Sequence, residues 1–312
     1  MEAFIELNRI QCTQAIAFDM LREFDQLCKK EGYAYSLAGG TLLGAIRHKD
    51  LIPWDDDIDL FMLREDYEAF LEKYVGKSFS NPYYKVINID NGFKGQTFAR
   101  MIDTRTRTTS KQSLTFRNLW IDILPVDEVP DDLVKRELFQ KEMRSLRRWR
   151  LLFNLPPWSG KTLLIKLKKT PIGIVARWLG LNNKVCRKII KAAQKYRGAE
   201  NAHEVAEIIA QGFIKGTMCK ETFGQSVEVE LRGMMFPAMP DYNHYLTGQY
   251  GDYLELPPER QRVAHKINVK IDISKYDGAL KEELLYYIQK KDIEANNALL
   301  LEENRENSIA DC

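Results

Sequence analysis

Four aspartates fall within five positions of this chain, in Pro53-Trp54-Asp55-Asp56-Asp57-Ile58-Asp59-Leu60, and that cluster limits what can be built around it. Pro53 breaks the preceding segment, after which the alternation over Asp57–Met62 reads as a strand. Successive strand side chains point to opposite faces, so Asp57 and Asp59 share one face while Ile58 and Leu60 point into a core. Asp55 joins the pair if the strand begins early enough. Carboxylates about 7 Å apart along a strand face repel each other unless a cation sits between them. Hard divalent ions such as Mg²⁺ or Mn²⁺ take oxygen ligands of this kind, with water and substrate phosphate completing the shell. Taken by itself, the cluster also fits a plain acidic turn solvated at the surface.

A second feature lies shortly upstream. Tyr33–Ala38 reads as a short strand stopped by Gly39-Gly40, and Thr41 is placed to cap a short helix, Leu42–Arg47. A strand that passes through Gly-Gly into a helix offers free backbone N–H groups and a positive dipole end to a phosphate. Such a turn alone is usually only a turn; its nearness to the aspartates joins the two into one expectation. A third carboxylate, Asp122, stands in Trp120-Ile121-Asp122-Ile123-Leu124, within a strand expected over Leu119–Leu124 and ended by Pro125. An acid buried there needs a metal or a cationic partner such as Arg100. Phe98, Arg100 and Ile102 share a face of the strand expected over Thr97–Ile102, so Arg100 is either paired with a carboxylate or open to an anion. Arg47 and His48 are further cationic candidates for a phosphate.

These residues carry a resemblance. Gly39-Gly40-Thr41-Leu42-Leu43-Gly44, then Arg47-His48, then Pro53-Trp54-Asp55-Asp56-Asp57-Ile58-Asp59, resemble the signature of the LicD family. That family groups phosphocholine transferases of bacterial surface polysaccharides with fukutin and fukutin-related protein, within the nucleotidyltransferase-fold superfamily. The superfamily pattern, a Gly-Gly or Gly-Ser turn, a short helix, Asp-x-Asp and a later acid on a neighbouring strand, matches Gly39, Gly40, Asp57, Asp59 and Asp122. Phe236-Pro237-Ala238, Tyr250-Gly251-Asp252-Tyr253, Pro257 and His265 are similar to the family's C-terminal part.

The resemblance implies an α+β fold, with a nucleotidyltransferase-like mixed sheet and flanking helices. It also implies transfer of phosphocholine from CDP-choline to a sugar hydroxyl of a lipid-linked cell-surface glycan or teichoic acid precursor, releasing CMP. Asp57 and Asp59 would hold Mg²⁺ against the pyrophosphate, with Asp122 as third ligand or as base. Gly39, Gly40 and Thr41 would donate to phosphate oxygens, with Arg47, His48, Arg100 and His265 as further contacts. A choline ammonium would seek aromatic faces, for which Tyr250, Tyr253, Trp54 and Trp120 are available. CDP-glycerol, CDP-ribitol or an NTP as donor keeps the same site. A non-catalytic nucleotide- or membrane-binding protein of this fold is the alternative from another class.

The net charge of +2 conceals an asymmetry: residues 135–197 hold 18 Lys/Arg and two acids, Glu137 and Glu142, against 28 basic and 42 acidic residues elsewhere. Three of the five tryptophans, Trp149, Trp158 and Trp178, lie in this block. Basic residues interleaved with Trp and Leu, as in Leu163–Lys169, suit an interfacial helix, so an anionic membrane surface is the expected partner. A helical cap with its cations in water is the alternative, and no nucleic-acid module accompanies the charge.

The organisation expected is a catalytic core over 1–130, a basic helical region over 131–215 and a C-terminal part over 216–312. Helices are expected over 2–30, Asp66–Tyr74, Leu133–Phe153, Lys161–Lys169, Ile172–Leu179, Lys184–Tyr196 and Leu280–Leu301. Strands are expected over Tyr83–Ile89 and around Gln225–Arg232, and loop with short helices over Phe236–Pro258. The five scattered cysteines (Cys12, Cys28, Cys186, Cys219, Cys312) show no zinc spacing. With no signal-peptide pattern at Met1 and no apolar run of membrane-spanning length, the expected location is cytoplasmic, peripheral at the inner face of the membrane.

Overall fold

Apolar residues at three- and four-residue steps give the N-terminal region its helix, though a shorter one than the periodicity predicts. In the computed structural model, which describes residues 5–7, 10–77, 79–110, 113–154, 163–212, 214–262 and 267–289, the segment splits into strand β1 (Ile5–Leu7) and helix α1 (Ile10–Glu31). Ile16, Met20, Leu21 and Phe24 of α1 are fully buried. Phe24 meets Tyr35 and Phe70 edge-on at 5.2 and 5.4 Å. Burying a side chain of that size stabilises the fold by about 1.5–3 kcal/mol.

The chain continues through β2 (Tyr35–Leu37), α2 (Gly39–His48), β3 (Asp59–Leu63), α3 (Arg64–Tyr74), β4 (Tyr84–Ile87), β5 (Ala99–Ser110) and β6 (Ser113–Val129). The expected strand at Leu119–Leu124 is thus the middle of a much longer one that passes through Pro125. Pairing with β5 ends at Ile123, so the missing N–H of Pro125 interrupts no ladder on that side, and β3 continues alongside from Asp59 to Leu63. Arg64, at the start of α3, donates to both oxygens of Asp127 on β6 at 2.7 and 2.6 Å. Both residues are buried.

Three packed helices follow: α4 (Leu133–Phe153), α5 (Leu163–Trp178) and α6 (Leu181–Ala193). The two helices expected on either side of Pro171 are one, with Pro171 inside α5. Proline removes one backbone donor there without ending the helix. Beyond lie β7 (Glu204–Ala206), β8 (Met218–Cys219), α7 (Lys220–Phe223), β9 (Val227–Leu231), β10 (Met234–Ala238), α8 (Tyr242–Tyr250) and β11 (Ile267–Ile271). The hairpin β9–β10 takes Phe236–Ala238 out of the expected loop. Residues 278–289 begin the C-terminal helix; the remainder of the expected 280–301 helix lies outside the described residues. Among the described residues no helix is long and apolar enough to cross a membrane.

The main sheet runs β1-β11-β5-β6-β3-β2, with β4 also on β5 and the β7–β8 pair on β6. The α+β class follows from this mixed sheet and its flanking helices. Register places the site: β3 runs parallel to β6 with Asp59 opposite Asp122, and β6 runs antiparallel to β5 with Asp122 opposite Arg100. One row across three strands therefore reads Asp59, Asp122, Arg100. A slip of one residue would turn the slipped strand's member of this row to the other face of the sheet.

Candidate active site

The glycine turn works through clearance. Helix α2 begins at Gly39, its N-cap is Ala38 without a side-chain hydrogen bond, and Gly39 takes φ +51°. A Cβ on Gly39 would lie 2.8 Å from Asp59 Oδ2, and one on Gly40 would overlap Asp55 Oδ2. The turn thus lets two carboxylates press against backbone, where a side chain would keep them out. The N–H of Gly39, expected to face a phosphate, donates to the Tyr245 hydroxyl at 3.3 Å. Thr41 is not the cap: it is buried, and its hydroxyl accepts the Asp59 N–H at 3.0 Å. It fixes the first residue of β3.

Asp57 precedes β3 instead of lying on it, so strand alternation is not what brings the acids together. A turn does so, with the Asp55 N–H donating to the Ile52 carbonyl at 2.9 Å. The Gln14 amide on α1 clamps this turn by donating to the carbonyls of Ile52 (2.9 Å) and Asp55 (2.7 Å). The result sets carboxylate oxygens of Asp55, Asp56 and Asp57 within 4.8 Å of one another. Burial raises the pKa of Asp59 well above the carboxylate range, and Asp57, Asp122, Asp55 and Glu207 raise it further. Burial likewise raises Asp122, opposed by Arg100 and reinforced by Asp57. A hard divalent cation suits this donor set, because oxygen ligands converge where their own charges are mutually unfavourable.

Two expected phosphate contacts are engaged elsewhere. Arg100 is paired, donating to both oxygens of Asp122. Its guanidinium lies 4.0 Å from the Trp120 ring centroid and 4.5 Å from that of Phe93. Of the two readings open for Arg100, the structure has the carboxylate pair. Arg47 donates to the carbonyls of Tyr253 (2.9 Å) and Glu255 (3.1 Å). His48 stands edge-on to Trp54 at 6.0 Å, and burial, then Arg47, lower its pKa below the ordinary imidazole value. His265 lies outside the described residues.

A pocket of about 450 Å³ opens beside Gly40 and Asp55, walled by Arg47, Trp54, Tyr250 and Tyr253. Withdrawal from water, then Asp59, Asp55 and Asp57, raise the pKa of the Tyr250 hydroxyl. Gln14, Asp56, Tyr245 and Glu207 belong to this constellation although sequence reasoning did not select them. Asp56 lies just ahead of the strand expected over Asp57–Met62, and Glu207 is distant in the chain with no motif around it.

The chain matches the family model described as LicD/FKTN/FKRP, nucleotidyltransferase domain, over residues 32–157. It is 30% identical over 261 residues, 81% of this chain and 94% of the relative, to the lipopolysaccharide cholinephosphotransferase LicD of Haemophilus influenzae. The chain belongs to the LicD family. A shorter match, 60% identical over 35 residues, links this LicD-family chain to ribitol 5-phosphate transferase FKRP of human and mouse, covering 11% of the chain and 7% of the relative. As a member of the LicD family it is a transferase of a substituted phosphate group.

Proposed function

We propose that the chain transfers phosphocholine from CDP-choline to a sugar hydroxyl of a lipid-linked surface-glycan precursor, with release of CMP and dependence on Mg²⁺. The observation that carries the choline assignment is the pocket beside the acids. Its walls include the rings of Trp54, Tyr250 and Tyr253 and the carboxylates of Asp55, Asp252 and Glu255. Aromatic faces and acids attract a quaternary ammonium, and a neutral polyol has no need of them. The relative named as a cholinephosphotransferase, matched over nearly its whole length, supports the same reading.

In the reaction, a P–O bond forms between the acceptor oxygen and the choline-bearing phosphorus. The bond from that phosphorus to the CMP oxygen breaks, and its electron pair leaves with CMP. Phosphoryl transfer of this kind relies on positioning and charge compensation more than on covalent help from the protein. Asp57 and Asp59, with Asp55 beside them, would hold the cation, which when bound neutralises pyrophosphate charge. The Gln14 clamp and the Thr41 hydroxyl keep the acid-bearing backbone in place. Asp122 is the proposed acceptor of the sugar hydroxyl proton: burial raises its proton affinity, and Arg100 fixes both its oxygens. The lipid-linked acceptor would be met at the inner face of the membrane, with the chain as a peripheral protein.

A second reading keeps the site and exchanges the donor for CDP-ribitol, favoured by the stretch shared with ribitol 5-phosphate transferase FKRP. The test is CMP release from CDP-choline, CDP-glycerol, CDP-ribitol and CTP. Each is assayed with and without Mg²⁺, with a membrane glycolipid extract as acceptor and Asp57→Asn as control. Metal-dependent release from CDP-choline is expected. Release from a polyol donor instead would overturn the choline assignment, and silence from every donor would overturn the transfer reading.

A further inference from the structure

Helix α5 is packed the opposite way from a helix that faces water. Its small residues Gly173 and Ala176 turn inward, Ala176 to 1% exposure, while Ile172, Ile174, Val175, Leu179 and Trp178 point outward, Trp178 to 84%. At about 100° per residue these five side chains form one continuous apolar arc of roughly 160°. Leu179, just past the helix end, still donates its N–H to the Val175 carbonyl at 2.9 Å and so keeps its place on the arc. Neighbouring α4 exposes Trp149 and Leu151. Large apolar side chains turned outward while small ones serve as the packing contact mark a surface that meets something other than water.

We propose that this face of α5 docks on an anionic lipid bilayer, with Trp178 and its neighbours entering the headgroup region. Charge decides the occupant. The helices around the arc come from a block with 18 Lys/Arg and two acids, and Arg148, Lys184 and Lys188 on α4 and α6 are exposed. A second copy of the chain would bring like charges together across the seam, whereas anionic headgroups neutralise them. An exposed arc of Ile, Val, Leu and Trp on a helix drawn from so basic a block is the composition of an interfacial helix. This inference needs no donor assignment, because vesicle binding and turnover are separate readouts.

The experiment is cosedimentation of the full chain with sucrose-loaded vesicles of phosphatidylcholine, with and without phosphatidylglycerol. Binding is expected on the anionic vesicles, weakened by salt. The combined variant Ile174→Ser, Val175→Ser, Trp178→Ser should lower the partition coefficient about tenfold or more. Its melting temperature and its turnover of a soluble donor should match the parent, since the altered side chains point outward. In Trp178→Phe, binding should persist while most of the vesicle-induced blue shift in tryptophan emission disappears. Failure of the parent to bind anionic vesicles would overturn the proposal, as would undiminished binding by the triple variant or an undiminished emission shift. So would a parent dimer in sedimentation velocity that the triple variant abolishes, which would assign the face to a second copy.

Discussion

Gly40→Ala separates the stability of this fold from its chemistry. The added Cβ would fall inside 3.0 Å of Asp55 Oδ2, where ordinary contact begins at 3.4 Å, and its other neighbours, Asp55 Cγ and Ile52 Cδ1, stand at 3.5 and 3.9 Å. The severe overlap is therefore with the far end of a side chain and not with backbone, so a shift of that side chain relieves it. Gly40 has no left-handed backbone, and alanine in a helix is favoured over glycine by up to about 1 kcal/mol. Thermal unfolding should accordingly stay within about 1 kcal/mol of the parent. The displaced carboxylate is another matter: Oδ2 must retreat by about 1 Å, and a misplacement of that size costs on the order of a hundredfold in rate. Gly44→Ala makes the contrast, because its Cβ would lie 2.6 Å from the backbone oxygen of Asp50 and 3.1 Å from the backbone nitrogen of Ile52. Relief there moves the main chain, so stability should fall by about 1–3 kcal/mol together with activity. Scanning calorimetry and steady-state CMP release on both variants decide the matter. A Gly40→Ala enzyme with parental kcat would refute the clearance argument, and so would one that unfolds like Gly44→Ala.

Asp59→Asn removes a charge that its surroundings disfavour, so the metal-free variant should be at least as stable as the parent while turnover is lost. At about a hundred times its Kd, Mg²⁺ should stabilise the parent by ~2.7 kcal/mol and leave this variant's melting temperature unmoved. Burial pushes Glu207 from 4.5 up to about 7, so the folded state holds this proton more tightly than the unfolded chain. Its contribution to stability is then complete below pH 4.5 and is lost as pH rises toward about 7. Glu207→Gln should flatten the fall in melting temperature over that window, by an amount equivalent to at most about 3 kcal/mol; an unchanged slope would show that another group titrates there. Arg100→Met strands Asp122 as a buried acid without its cation and should cost about 3–5 kcal/mol in urea unfolding, with Arg100→Lys recovering only part of the loss.

The parts of the site that were legible from sequence are those written locally. Strand, glycine turn, short helix and acid run lie close together in the chain, and their order alone pointed to carboxylates beside a backbone turn. Asp122 was legible because an acid among Trp120, Ile121, Ile123 and Leu124 has no apolar reason to be there. What the sequence hid depends on partners distant in the chain. The Gln14 clamp joins residues 38 and 41 positions apart, Tyr245 reaches Gly39 across 206 positions, and no periodicity announces either. The alternation rule misassigned Asp57 because it presumes an extended strand, whereas Asp55–Asp57 lie in irregular chain between the turn at Ile52–Asp55 and the start of β3. Proline was likewise read as a stop at Pro125 and Pro171, although neither ends its element.

Arg47 holds main chain, not side chains, at Tyr253 and Glu255. A grip on carbonyl oxygens is indifferent to which residues supply them. The wall of the pocket can therefore be rewritten residue by residue while its attachment to α2 stays constant. In a fold made this way, head-group choice and phosphate chemistry can diverge independently, like a lock whose tumblers are changed without recutting the bolt.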